Sequence, residues 1–280
     1  MRIANLSGRL VIISGGQAID VSDASNGLFG PSPQAIYDRW TEFTAWAAQA
    51  SLPKGTEWDA GSLGAPAPRP RQLLAAGLNY RDHAAESGLE VPEGLPPVFT
   101  KFATSITGPV TTVRLPPDGH TDWEIELVVV MGTRAWQVTE ADAWRHVAGL
   151  TVGQDLSERV SQLAGPAPQF SLGKSLPGFT PMGPWLVTPD ELANPDDLGL
   201  LATINGEQVQ KARTSELIFP VPVLIARLSA RLPLLPGDVI FTGTPAGVGL
   251  GRSPQRWLAD GDELVSTIEG IGELRQRFAA

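Results

Sequence analysis

Glu124 and Glu126 lie two residues apart at the start of the apolar run Leu127-Val128-Val129-Val130-Met131. In a strand, side chains two apart share a face, about 6.5 Å from each other along the backbone. A run apolar at every position reads as a strand covered on both sides, so the two glutamates sit where a strand enters the interior. At about 6 Å, two ionised carboxylates repel by roughly 3 kcal/mol at an effective dielectric of about 20. A cation between them would remove that penalty; two solvated glutamates at a half-exposed strand end is the alternative. A third carboxylate, Asp155, ends another apolar stretch, Val147 to Gln154. Three carboxylates form an all-oxygen set suited to a hard divalent cation, Mg²⁺ or Mn²⁺, better than to zinc. They leave a bound dication with one negative charge in excess, so an anionic substrate needs basic partners. Arg159, four residues beyond Asp155 and one turn on if a helix starts there, and Lys174 in Gly173-Lys174-Ser175 are the candidates; either could equally be a solvated surface charge.

His83 and Glu86 stand three apart and share a face if Asp82 caps a short helix ended by Gly88. A carboxylate that orients an imidazole makes a base able to activate water. On spacing alone, Glu86 could instead serve only the helix terminus, with His83 merely exposed. The proline- and glutamate-containing stretch Leu89 to Pro97 that follows reads as exposed and mobile.

The elements that must position these residues are mostly strands. Leu10 to Ile13 and Ala18 to Val21 flank a glycine turn as a hairpin, and Ile36, Trp40, Phe43 and Trp46 mark an amphipathic helix opened by Ser32-Pro33. Gly61 to Pro70, with three prolines, reads as a linker. Beyond it come Leu73 to Leu78, Val147 to Asp155, Val239 to Phe241 and Glu263 to Glu269 as strands, with Ala141 to His146 and Val221 to Leu232 as helices. The expected architecture is α+β and mostly β, with a small N-terminal unit over residues 1–65 and a main domain over 70–280.

Among the 280 residues there is no cysteine, which excludes disulfides, thiolate metal sites and a cysteine nucleophile. A formal net charge of -9 without a basic block argues against nucleic acid and anionic membrane as partners. No stretch approaches the roughly 20 apolar residues that span a bilayer, and the N-terminus lacks a signal-peptide core, so a cytoplasmic location is expected. No serine lies in a Gly-x-Ser-x-Gly turn, and Gly247-Val248-Gly249-Leu250-Gly251 resembles a dinucleotide loop only superficially.

Several ordered blocks resemble the fumarylacetoacetate hydrolase family over roughly Gln72 to Phe278. They include Gly77 to Glu86, Asp122 to Leu127, Gly149 to Gln162, Gly173-Lys174-Ser175, Thr214 to Phe219, Thr242 to Gly249 and Ile268 to Gly272. The resemblance implies a mixed β-sandwich or roll, usually a homodimer, with Mg²⁺ or Mn²⁺ held by Glu124, Glu126 and Asp155. It also implies that His83 and Glu86 form a water-activating dyad on a lid. Arg159, Gln162, Lys174 and Thr244 match positions that contact substrate or stabilise charge. Val160, where an aspartate usually follows the arginine, and Pro177-Gly178, after the Lys-Ser pair, depart from the pattern near the expected substrate pocket. The resulting expectation is hydrolysis of a carbon–carbon bond in a β-diketo acid such as an acylpyruvate, with Lys174 stabilising the oxyanion. The alternatives are an isomerase or decarboxylase of 2-oxo dicarboxylates and, from another class, a non-catalytic metal and ligand-binding protein.

Overall fold

The computed structural model describes residues 1–280. Its centre is the strand Ile125–Met131, in which all seven residues are buried. Period-two alternation divides them between two cores. Ile125, Leu127, Val129 and Met131 face one apolar cluster, while Val128 and Val130 face another. Truncating Leu127 to alanine would cost about 2–5 kcal/mol, as for other fully buried leucines.

An eleven-stranded sheet surrounds this strand. Along its path run Gln17–Asp20, Arg9–Ser14, Arg2–Leu6, Thr180–Val187, Val147–Gln154, Ile125–Met131, Val239–Phe241, Leu73–Ala76 and Val98–Thr100, with two short strands off the path. Pairing is mainly antiparallel, but Val239–Phe241 runs parallel to Leu73–Ala76. A five-stranded sheet packs on one face, in the order Glu207–Arg213, Gly199–Ile204, Glu263–Ile268, Gly272–Ala279 and Val110–Arg114. Leu200, Ala202, Ile204, Leu264 and Leu274 from this sheet join Leu127 and Val129 in one core, giving a mostly β sandwich. The helix Val221–Ser229 closes that core with Val221, Leu224, Ile225 and Leu228.

The N-terminal hairpin forms as expected, and Arg2–Leu6 pairs with Thr180–Val187, so these strands extend one edge of the large sheet. Ile36, Tyr37, Trp40 and Phe43 pack with Val128, Val130 and Phe241 in a shared core. Their segment begins as a 3₁₀ turn, Ala35–Arg39, and becomes α-helical only over Trp40–Ala47. The proline-rich stretch from 61 to 70 is packed rather than a free linker. Leu63–Gly64 pairs with Asn5 and Leu6, Ala65 and Ala67 are buried, and the Tyr37 hydroxyl donates to Pro66 O at 3.1 Å.

Candidate active site

The carboxylate cluster is built by sheet register. Ile125 pairs with Gln154, and Asp155 N–H then donates to Glu124 O at 2.9 Å, which sets Glu124 beside Asp155 just beyond the paired segment. Glu126 lies one step inside the strand, on the face of Val128 and Val130. Oxygens of Glu124, Glu126 and Asp155 come within 4.8 Å of one another, and all three residues are buried.

Three cations meet this cluster. Lys174 Nζ donates to Glu124 Oε2 and to Asp155 Oδ2, each at 2.7 Å. Arg159 donates to Glu124 Oε1 at 2.7 Å, to Asp122 Oδ2 through two nitrogens at 2.9 and 2.7 Å, and to Gln162 Oε1 at 2.8 Å. Lys101, whose side chain is wholly buried, donates to Asp155 Oδ1 and to Phe179 O. Lys101 and Asp122 were not singled out in the sequence. Their signal was a lone lysine beside the apolar Val98-Phe99 pair and an aspartate directly before Trp123-Glu124, which gains meaning only once Arg159 is brought to it across 37 residues.

Burial pushes Glu124 up, but Lys174, Arg159 and His83 outweigh it and hold the carboxyl below its usual range. Glu126 shows the opposite balance. Burial first, and then the charges of Asp155 and Glu124, push its carboxyl well above the usual range. Its oxygen Oε2 accepts only the Gly243 N–H, at 2.6 Å, and it forms no ion pair with any lysine or arginine. A buried carboxylate lacking a cationic partner, converging with two others, is what a hard divalent cation satisfies, and the all-oxygen donors suit Mg²⁺ or Mn²⁺. The sequence count of three carboxylates against two bases therefore becomes four against three.

Arg159 does not continue a helix from Asp155. Its helix is Arg159–Gln162, capped by Glu158, whose carboxylate accepts from Val160 N and Ser161 N at 3.0 and 2.7 Å. Between them, Ser157–Glu158 pairs with Thr121–Asp122. Gly173 lets the following turn approach this helix, because a Cβ there would lie 2.6 Å from Gln162 N. That close approach delivers Lys174 to the cluster.

His83 and Glu86 share the helix Arg81–Glu86, with His83 Nδ1 2.7 Å from Glu86 Oε1. Asp82 does not cap it: Tyr80 is the N-cap and no side chain caps that end. Leu89 to Pro97 is largely exposed, as its composition suggests.

The glycine-rich segment 247–251 is a carboxylate cradle. Gly247 N–H donates to Glu86 Oε2 at 2.9 Å, and Gly249 and Leu250 N–H groups donate to Asp122 at 2.6 and 2.9 Å. A Cβ at Gly249 would lie 1.9 Å from Arg256 O, so no other residue brings the backbone this close.

His83, Glu86, the three clustered carboxylates, Arg159, Gln162, Lys174 and Thr244 all line one cavity of about 660 Å³. Thr244 turns its hydroxyl away, donating to Ile125 O at 2.9 Å and accepting from Gln210 Nε2 at 2.8 Å. Val160 is 52% exposed, and neither it nor Pro177-Gly178 lines the cavity. These departures from the family pattern therefore fall outside the pocket wall, with Val160 next in sequence to the lining residue Arg159.

The family model for the fumarylacetoacetate hydrolase C-terminal domain matches residues 72–279. The chain belongs to the fumarylacetoacetate hydrolase family. A human mitochondrial oxaloacetate tautomerase is 44% identical over 209 residues, 74% of this chain and 66% of that protein, so the chain spans just under two thirds of its length. A 2,4-didehydro-3-deoxy-L-rhamnonate hydrolase from a Sphingomonas species is 43% identical over 210 residues, 74% of this chain and 73% of that protein. Among solved structures, a Mycobacterium smegmatis protein provisionally named HpcE superposes with a TM-score of 0.97 at 59% identity, covering 100% of this chain and 99% of its own. Maleylpyruvate hydrolase from Sphingobium, solved with manganese(II) and pyruvate, gives a TM-score of 0.76 at 25% identity, again over 100% and 99% of the two chains. This family of enzymes thus includes hydrolases and tautomerases, and the present member carries a buried acidic triad able to bind a divalent metal. No helix is long and apolar enough to cross a membrane.

Proposed function

We propose that the protein is a divalent-metal-dependent hydrolase that cleaves a carbon–carbon bond in a β-diketo acid of the acylpyruvate type. The observation that carries this reading is the His83–Glu86 pair lining the same cavity as Glu124, Glu126 and Asp155. Held by those three carboxylates, Mg²⁺ or Mn²⁺ would supply Lewis-acid polarisation and a template for the 2-oxo acid head.

The residues of the chain do the rest. His83, oriented by Glu86, takes a proton from water as the oxygen attacks the distal carbonyl. Lys174 has three N–H donors, two of them engaged by Glu124 and Asp155, and the third serves the developing oxyanion. When the carbon–carbon bond breaks, its electrons pass to the methylene carbon of the pyruvate portion. That carbon takes the proton held on His83, so water is consumed and a carboxylic acid and pyruvate are released.

A second reading is supported by the 44% identity to oxaloacetate tautomerase. The same dyad would move a proton between carbon and oxygen of a 2-oxo dicarboxylate without consuming water. Incubating the Mg²⁺-loaded protein with acetylpyruvate and with oxaloacetate, and following pyruvate formation and the enol absorbance separately, tests the two. Release of pyruvate and acetate from acetylpyruvate is expected. Enol–keto interconversion of oxaloacetate without any acylpyruvate cleavage would replace the first reading by the second.

A further inference from the structure

The cavity lining combines the carboxylates Glu124, Glu126 and Asp155 with a larger set of apolar side chains. Arg159 and Lys174 are the only lysine or arginine side chains in the lining, and both are committed to carboxylates of the protein itself. The rest of the wall is largely apolar, with Leu78, Phe99, Leu163, Phe170, Val248 and Leu250, and Phe99 adjoins the cluster, its ring centroid 5.1 Å from Lys174 Nζ. Phe99 and Phe170 meet edge to face, with ring centroids 5.6 Å apart. The nearest further cation along the chain, Arg252, is turned out of the lining. Its guanidinium donates to Val209 O and Gly247 O and lies over the Trp123 ring, 5.5 Å from the centroid.

The pairing of charges points the same way: every lysine and arginine that meets the cluster (Lys101, Arg159 and Lys174) is ion-paired with Asp122, Glu124 or Asp155. A second carboxylate further along the substrate would meet a largely apolar wall whose lining holds no lysine or arginine without a carboxylate partner, and burying an unpaired ion is strongly unfavourable.

We infer that the substrate tail beyond the oxo acid head is uncharged and apolar. The protein then selects acylpyruvates with an alkyl or aryl acyl group over their counterparts ending in a carboxylate. Leu163 and the Phe99–Phe170 pair set this preference. The inference rests on the metal-held oxo acid reading above and narrows its substrate class.

A matched pair of inert ligands tests it. 2-Oxoheptanoate and 2-oxoheptanedioate share their head and length and differ only in a terminal methyl or carboxylate; neither has the β-carbonyl needed for cleavage. Their dissociation constants for the Mg²⁺-loaded protein are measured by calorimetry, with oxalate as a tailless reference. Oxalate is expected to bind, and the monocarboxylate at least about tenfold more tightly than the dicarboxylate, a ratio equivalent to about 1.4 kcal/mol. In Leu163→Arg, at a position already 49% exposed and so tolerant of a long polar side chain, the ratio should move to unity or invert. Equal or tighter binding of the dicarboxylate to the wild-type protein, with oxalate bound, overturns the apolar-tail inference alone. An unchanged ratio in Leu163→Arg overturns the role given to Leu163. Failure of oxalate and both oxo acids to bind overturns the oxo acid reading itself.

Discussion

His83 Nδ1 lies 2.7 Å from Glu86 Oε1, while Glu86 Oε2 accepts the N–H of Gly247, 161 residues along the chain. A carboxylate can only accept, so Nδ1 carries the hydrogen of the first bond and Nε2 is left as the free base. The base is thus positioned by its own helix and its orienting carboxylate by the glycine-rich loop.

Turnover should fall by roughly 10²–10⁴-fold in His83→Ala, the usual contribution of a positioned base, with metal affinity unchanged. Glu86→Ala should lose less, and the double variant should lose no more than His83→Ala, since an orienting residue then has nothing to orient. Steady-state kinetics with calorimetric metal titration of each variant checks this. Undiminished hydrolysis in His83→Ala would remove the dyad from the mechanism. A decarboxylation of oxaloacetate that survives in that variant would mark a reaction needing no activated water.

Glu126 is the carboxylate with the least compensation, held only by Gly243 N–H. Glu126→Gln keeps an acceptor for that bond and removes repulsion from Asp155 and Glu124. Without divalent cations, the variant should melt no lower than the wild-type protein. With Mg²⁺ or Mn²⁺ added, the wild type should gain stability by mass action and the variant much less. Thermal melts with and without chelator separate the cases; a large drop in the chelated variant would make Glu126 a structural residue instead.

Lys101 is fully buried between Asp155 Oδ1 and Phe179 O. Burial pulls its ammonium down, and Asp155 opposes that shift. Removing one partner of such a pair strands the other, at a typical cost of about 3–5 kcal/mol. Lys101→Met should therefore lose stability of that order in urea denaturation of the metal-free protein. A loss below about 1 kcal/mol would show that Asp155 is adequately held by Lys174.

Glu158 caps the helix that presents Arg159, and it also accepts the His120 N–H at 2.9 Å. Burial pushes its carboxyl up, but the bonds from Ser161, His120 and Val160 outweigh it and hold it below the ordinary value of 4.5. A carboxyl depressed by folding stabilises fully above its unfolded value and loses that contribution as pH falls through its folded value. Glu158→Ala should cost about 1 kcal/mol at neutral pH, the usual worth of such a cap. The difference from wild type should be flat above about pH 5 and shrink as the pH falls below about 4.5. Denaturation midpoints across pH 3–7 would show it, and a difference that grew on acidification would reverse the sign argued here.

Much of the site could be read without coordinates because its signals are local. Glu124 and Glu126 share a face by strand periodicity, Asp155 ends an apolar run, and His83 and Glu86 are three residues apart on one helix. Ordered blocks of sequence likewise carried the family and its mostly β class. The tertiary structure alone decided the partners. Lys101 reaches Asp155 across 54 residues and Arg159 reaches Asp122 across 37, and such distances are closed only by the register of strands that no short-range pattern encodes. For the same reason, the glycine-rich loop resembles a dinucleotide loop only superficially in sequence, and only the fold shows that it holds Glu86 and Asp122. Val160 and Pro177 stand close in sequence to the lining residues Arg159 and Lys174, yet both are exposed and neither lines the cavity, because successive residues on a helix or a turn face different surroundings. Sequence periodicity determined which residues could do chemistry; long-range pairing determined which charges each of them meets.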